Sequence, residues 1–196
     1  MRDMVLVVIG PSCSGKDTLI DKMVEMATPG AVRRVVRATT RPPRRGERNG
    51  ERYEFISKER FRTIEKAGGF LETSSYRGWR YGTRVEVFQP GTINILPLDL
   101  KSLKQLRENG KGLAIRVAYV DASLDTRLKR YEDREGHKSF EMYRRAIADS
   151  IQYRHAISDL LRMGTPHTYL PGEFGLLRRA DQMMRFCRDW VRGSED

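Results

Sequence analysis

The sequence predicts an α/β fold in which a mainly parallel sheet is flanked by helices. Three observations carry the prediction. The run Met4–Ile9 is continuously apolar and rich in β-branched residues, the pattern of a central parallel strand buried on both faces. Strand-like and helix-periodic segments then alternate along the chain. The 196 residues, 39% of them apolar, suffice for one core with a small insert or lid.

The elements follow in order. After the first strand a glycine loop begins at Gly10, and residues 17–26 have helical spacing, ended by Pro29-Gly30. Residues 32–36 read as a second strand. The stretch 39–50 is dense in Arg, Pro and Gly and reads as an ordered loop or hairpin. Residues 53–56 form a short strand and 58–67 a helix closed by Gly68-Gly69. Residues 70–81, with small and aromatic side chains, read as strands, and Pro90-Gly91 as a turn. A buried strand is expected at 92–98, a helix at 101–108 ended by Asn109-Gly110, and a strand at 113–120. Asp121, Ala122 and Ser123 open the next helix with capping residues. The charged segment 130–138, which contains Gly136, reads as mobile. Phe140, Tyr143, Ile147, Ile151, Ile157 and Leu161 suggest one face of a long helix. Residues 167–170 are a last strand and 176–191 a last helix.

Short strands and turns interrupt this rhythm after about residue 37. The expected organisation is therefore a single domain: a core of about 1–36 and 90–196, an acceptor-binding insert of about 37–89, and a lid of about 130–138.

Lys and Arg number 37 against 26 Asp and Glu, a formal net charge of +11. Such a balance points to a polyanionic partner, a nucleotide phosphate before nucleic acid, since no nucleic-acid motif is present. Two cysteines, Cys13 and Cys187, make neither a disulfide framework nor a metal site and suit a reducing compartment. No apolar stretch approaches the roughly 20 residues that cross a bilayer. The expectation is a soluble, cytoplasmic protein without a membrane partner; oligomeric state is not legible.

The chemistry concentrates first in Gly10-Pro11-Ser12-Cys13-Ser14-Gly15-Lys16-Asp17-Thr18. Glycines at 10 and 15 let the backbone curl so that N–H groups point inward, and the following helix adds its positive dipole end. Lys16 places a cation against outer phosphates. Lying between an apolar strand and a helix, the loop predicts a P-loop NTPase fold with ATP as phosphoryl donor. The residue after the lysine is ordinarily Ser or Thr, whose hydroxyl helps hold Mg²⁺. Here it is Asp17, a carboxylate able to serve the metal directly or through water.

The second concentration runs from Arg37 to Phe55 and includes Thr39-Thr40-Arg41-Pro42-Pro43-Arg44-Arg45-Gly46-Glu47 and Tyr53. Guanidinium forks on a proline-stiffened chain match phosphate oxygens. With the Gly-Pro-Ser loop, this segment resembles the guanylate kinase family, as do Gly69-Phe70-Leu71-Glu72 and Gly78-Trp79-Arg80-Tyr81-Gly82-Thr83. The likeness runs from Val5 to about Thr83 and more loosely through 127–145.

The resemblance implies a nucleoside monophosphate kinase, most simply one converting GMP or dGMP to the diphosphate. It implies that Arg41, Arg44, Tyr53 and Tyr81 bind the acceptor's phosphate. Glu72 would accept from the guanine edge, with Thr83 beside the base. Arg134 and Arg145 would be lid residues that neutralise the transferring phosphoryl group, with Arg130 able to replace Arg134. Three departures stand out. Arg37 occupies a base-contacting position usually held by serine. Asn94 is aligned with a strand aspartate, although Asp99 lies close by. The Asn-Asp expected near adenine is not evident at 169–172. A different or modified (deoxy)nucleoside monophosphate therefore stays open as acceptor. So do ribose 1,5-bisphosphate, for whose kinases Gly15-Lys16-Asp17 and Asn94 are similar, and a non-catalytic guanylate-kinase-like binding module.

Overall fold

The computed structural model describes residues 2–137 and 139–192. Its spine is a five-stranded sheet of β1 (Met4–Ile9), β2 (Val32–Arg34), β7 (Ile93–Pro97), β8 (Ala114–Val120) and β9 (His167–Leu170), in the order β2-β7-β1-β8-β9. Every pairing in it is parallel. The central strand shows why the sequence reads as continuously apolar. Val5, Val7 and Ile9 enter the core on one face with Leu96, Leu103, Val117 and Leu160. Leu6 and Val8 enter the other with Leu19, Ile20, Ile95, Val120 and Met183. A two-residue period with both faces covered leaves no polar position on the strand.

Helices cover both faces. On the Leu6 face lie α1 (Lys16–Met26), through Leu19, Ile20 and Met23, and α7 (Leu176–Arg192), through Ala180, Met183 and Cys187. On the Val5 face lie α3 (Leu100–Asn109) and α6 (Ala156–Arg162), with Tyr153 at the end of α5 (Phe140–Tyr153). At several helix starts a side chain satisfies an orphan backbone N–H. Asp99 accepts from the Ser102 N–H at 2.7 Å, Ser123 caps α4 (Leu124–Glu135), and Ser139 caps α5.

A second sheet is built wholly between residues 37 and 84. It contains β3 (Arg37–Thr39), β4 (Tyr53–Phe55), β5 (Phe70–Tyr76) and β6 (Trp79–Arg84), in the order β4-β3-β6-β5. The helix α2 (Lys58–Lys66), capped by Ser57, packs Phe61 onto Phe70 with ring centroids 4.5 Å apart. β2 of the main sheet and β3 of this one are separated only by Val35 and Val36, so the chain changes sheets within two residues.

One expectation is made more specific and one is corrected. The charged segment after Arg130 is helical through Glu135 and is stopped by Gly136 in the left-handed conformation; Lys138 lies outside the described residues. The apolar stripe from Phe140 to Leu161 is not a buried face of one helix. The helix breaks at 154–155, and Phe140, Ile147, Ile151 and Leu161 are exposed. The core is reached instead by Met142, Ala146, Tyr153, Ala156 and Leu160. Both sets satisfy helical spacing, and periodicity alone does not choose between them.

Candidate active site

The loop after β1 owes its shape to backbone conformations that few residues accept. Gly10 has φ 148°, and a Cβ there would lie 2.0 Å from the carbonyl oxygen of Val120 at the end of β8. Only glycine lets the loop pass so close to the neighbouring strand. Gly15 (φ 96°) and Cys13 (φ 60°) also take left-handed conformations, Cys13 as a strained exception for a residue with a side chain. The Lys16 ammonium turns back over the loop and donates to the carbonyls of Gly10 at 2.6 Å and Pro11 at 2.8 Å. Burial lowers its pKa to about 8, against the opposing pull of Asp17 and Asp149.

The loop is tied to the helices above it. The Ser12 N–H donates to Asp149 Oδ2 at 2.7 Å, and Arg145 Nε donates to Ser12 Oγ at 2.6 Å. The Arg145 guanidinium also lies 3.7 Å from the centre of the Tyr76 ring, joining α5 to the second sheet. Arg130 Nη1, from α4, donates to the carbonyls of Cys13 and Ser14. Asp17 is exposed and accepts from Arg34; Asp21, one turn on, accepts from Arg34 and Arg52.

Facing the loop is the arginine wall. A cavity of about 670 Å³ separates the two, with Gly10, Ser12 and Lys16 on one side and Arg41, Arg44 and Tyr81 on the other. Arg41 is buried and makes a two-pronged pair with Glu47, at 2.8 and 2.9 Å. Its guanidinium packs over Tyr53 and Phe55. The hydrogen bond to Glu47 raises its already high pKa. Glu47 also accepts the Arg44 N–H at 2.7 Å, which folds this loop back on itself. Tyr53 and Tyr81 meet edge to face, 5.8 Å between centroids.

The cavity thus gathers most of the residues expected from sequence: Gly10, Ser12, Lys16, Asp17, Arg37, Arg41, Arg44, Tyr53, Tyr81 and Arg145 all line it. Cys13, Ser14, Gly15 and Thr18 belong to the same loop and first turn without facing this space. Four other candidates lie elsewhere. Glu72 and Thr83 are buried behind Arg37. Arg134 is exposed at the end of α4, 4.6 Å from the Tyr131 ring, and Arg130 is the arginine of this helix that reaches the loop.

Asn94 is not a ligand-facing residue. Its amide donates to the carbonyls of Met4, Gln89 and Thr92 and accepts from the Gln89 N–H and Arg33, so its polar atoms are committed to the scaffold. The physical reason is its depth in the sheet. It pairs with Val5 near the start of the strands, whereas ligands of such sheets sit beyond their carboxyl ends. Asp99, just past β7, lines the cavity in its place, as do Asp149, Arg144 and Tyr153 from α5. Asp99 was legible as the residue one step beyond the strand. Arg144 and Asp149 carried no sequence signal beyond charge on an amphipathic helix.

A glycine loop at the carboxyl end of a parallel sheet, opposed by a second cationic wall, defines a phosphotransferase of the P-loop class. The chain belongs to the guanylate kinase family: the family model described as guanylate kinase matches residues 2–160. The chain is 35% identical over 155 residues to a guanylate kinase of Rubrobacter xylanophilus, covering 77% of this chain and 79% of the other. It is 30% identical over 156 residues to a guanylate kinase of Paraburkholderia xenovorans, covering 78% and 68%. In fold it matches the crystal structure of guanylate kinase from Anaplasma phagocytophilum with a TM-score of 0.67 over 96% of this chain and 86% of that one, at 19% identity. Among the described residues no helix is long and apolar enough to cross a membrane.

Proposed function

We propose that this chain transfers the terminal phosphoryl group of ATP to GMP or dGMP, in the cytoplasm. The observation that carries the proposal is the pair of cationic walls facing each other across one cavity, Lys16 on the first and Arg41 and Arg44 on the second. Two polyanions brought together need opposed positive charge and in-line placement more than covalent help. Family membership favours this acceptor over ribose 1,5-bisphosphate and over a role as a non-catalytic module.

In this reading the loop's N–H groups and the start of α1 take the donor phosphates, and Lys16 swings from its carbonyl partners to the outer ones. Arg41, pre-positioned by Glu47, and the exposed Arg44 hold the acceptor phosphate with Tyr53 and Tyr81. Arg145 and Arg130 approach from the α4–α5 side, where closure over the loop excludes water. No general base is needed, because a nucleotide phosphate is itself a nucleophile near neutral pH.

The donor set fits a metal that arrives with ATP. Among the described residues no three His, Cys, Asp or Glu side chains converge as a metal cage, and Asp17 offers one exposed carboxylate whose Oδ1 is already shared with Arg34. Mg²⁺ suits such a site, and Asp17 would help hold it, directly or through water. Bound there, the ion would neutralise phosphate charge. A coupled assay of ADP release, run across nucleoside monophosphates with ATP and Mg²⁺, tests the proposal. Turnover with GMP supports it, and none with any purine monophosphate refutes it.

A further inference from the structure

The deepest part of the acceptor wall is a buried ion pair. Arg37 Nη2 donates to Glu72 Oε1 at 2.7 Å, and Arg37 Nε reaches the same oxygen at 3.2 Å and Thr83 Oγ1 at 3.3 Å. Thr83 Oγ1 donates to Glu72 Oε1 as well, at 2.6 Å. One carboxylate oxygen therefore serves three donor atoms. The Arg37 side chain is 8% exposed and that of Glu72 is fully buried. The second oxygen, Oε2, is sealed without a partner. Burial works against the Arg37 charge, but Glu72, aided by Tyr53 and Asp99, outweighs it and leaves the guanidinium held above its ordinary pKa.

This pair inverts the polarity of the wall. Arg37 lines the cavity, and Glu72 and Thr83 do not. Nη1 of Arg37 is the part of the fork outside the pair; it is neither hydrogen-bonded to another described group nor sealed from solvent. What faces a ligand here is a hydrogen-bond donor on a cation, with the carboxylate retired behind it. Arg37 lies in β3 and the phosphate-gripping Arg41 in the bend that follows it, and both line the same cavity.

We infer that Arg37 is the base-reading residue of this chain, and that it selects a purine monophosphate by the acceptor atoms O6 and N7 while leaving the 2-amino group unread. The inference rests on the acceptor reading proposed above and narrows it. Arginine donors match the O6/N7 edge of guanine, whereas adenine presents an amino donor in place of O6. A donor set against a donor leaves both unpaired in a dry pocket. Hypoxanthine keeps O6 and N7 and lacks only the 2-amino group, so it separates a donor reader from a carboxylate reader: Arg37 does not distinguish it from guanine, and a carboxylate set against the 2-amino group, whether Glu72 or the cavity-lining Asp99, would.

The test compares GMP, IMP and AMP as acceptors at saturating ATP and Mg²⁺. The inference expects kcat/KM for IMP within about threefold of GMP, because removing an unread group forfeits no bond. AMP falls at least about 100-fold below both, since an unmatched buried donor is strongly rejected. Glu72→Gln should leave the GMP:IMP ratio within about threefold of its starting value. Arg37→Ser uncovers the carboxylate and should raise that ratio by about tenfold or more, while the KM for ATP stays constant as the sign of an intact fold. A wild-type preference for GMP over IMP of about 100-fold, or a collapse of that preference in Glu72→Gln, overturns the inference. Absence of all turnover counts against the proposed activity instead. Calorimetric titration of GMP and IMP into the protein then still decides this point, equal affinities sustaining it and a large difference or no binding refuting it.

Discussion

The two walls of the cavity are made differently. The donor wall is a backbone device: glycine conformations and one lysine turned onto its own loop. The acceptor wall is a side-chain device. Its arginines are positioned by carboxylates of the same small sheet and loop, Arg41 by Glu47 and Arg37 by Glu72. Backbone shape tolerates few residue types but needs no partners. Side-chain charge tolerates many sequences, and its meaning depends on the group opposite. A change in the first should abolish chemistry, and a change in the second should redirect or weaken binding.

The largest break is expected at Lys16. Lys16→Ala should lower kcat by about a thousandfold with the thermal midpoint little changed, because the charge acts on the transferring group and not on the core. A coupled ADP-release assay beside a melting curve checks both halves. Arg44 is the next test, since its guanidinium lines the cavity and only its backbone is tied down. Arg44→Ala should raise the acceptor KM by about 30-fold and the ATP KM by less than about threefold, as a charge-assisted phosphate contact is worth roughly 2 kcal/mol. Equal changes in the two constants would dissolve the division between the walls.

The donor wall should also answer to pH. Burial holds the Lys16 pKa near 8, so the free enzyme carries the proton below that value and sheds it above. The sign is therefore a flat kcat/KM for ATP below pH 8 and a fall of about tenfold per pH unit beyond it. Bound phosphates stabilise the ammonium, so kcat itself should bend later. The smallest effect on turnover belongs to Asn94, which sharpens the comparison from outside both walls. Asn94→Ala should destabilise the fold by about 3 kcal/mol through stranded backbone partners, measured by urea unfolding, with acceptor KM unchanged.

What the sequence made legible follows the same divide. β1, the loop and α1 are readable because an apolar run, a glycine spacing and a lysine each have one physical use in that order. The Arg41 and Arg44 segment was found through its resemblance and its density of charge. Asn94 was misplaced because an alignment cannot feel strand depth: the amide is buried where β7 begins, while Asp99 stands where it ends. Arg130 and Arg134 differ by one helical turn, and only the packed helix says which meets the loop. The exposed apolar stripe of α5 mimics a core face in its spacing, and burial is a property of the whole chain. The Arg37–Glu72 pair joins residues far apart in sequence; the resemblance singled out each of them, and only the fold shows them bonded to one another.

The bridge between α1 and the strands beside it carries one more implication. Arg34 at the end of β2 and Arg52 just before β4 both pair with Asp21, and Arg34 also reaches Asp17 in the first turn after Lys16. Arg52 and Asp21 are each about 40% exposed or more, so dissolved ions compete for this clasp far more than for the dry contacts around Arg37. The small sheet is consequently fastened to the nucleotide helix by a catch that loosens in brine, while its own selective interior stays dry and shut.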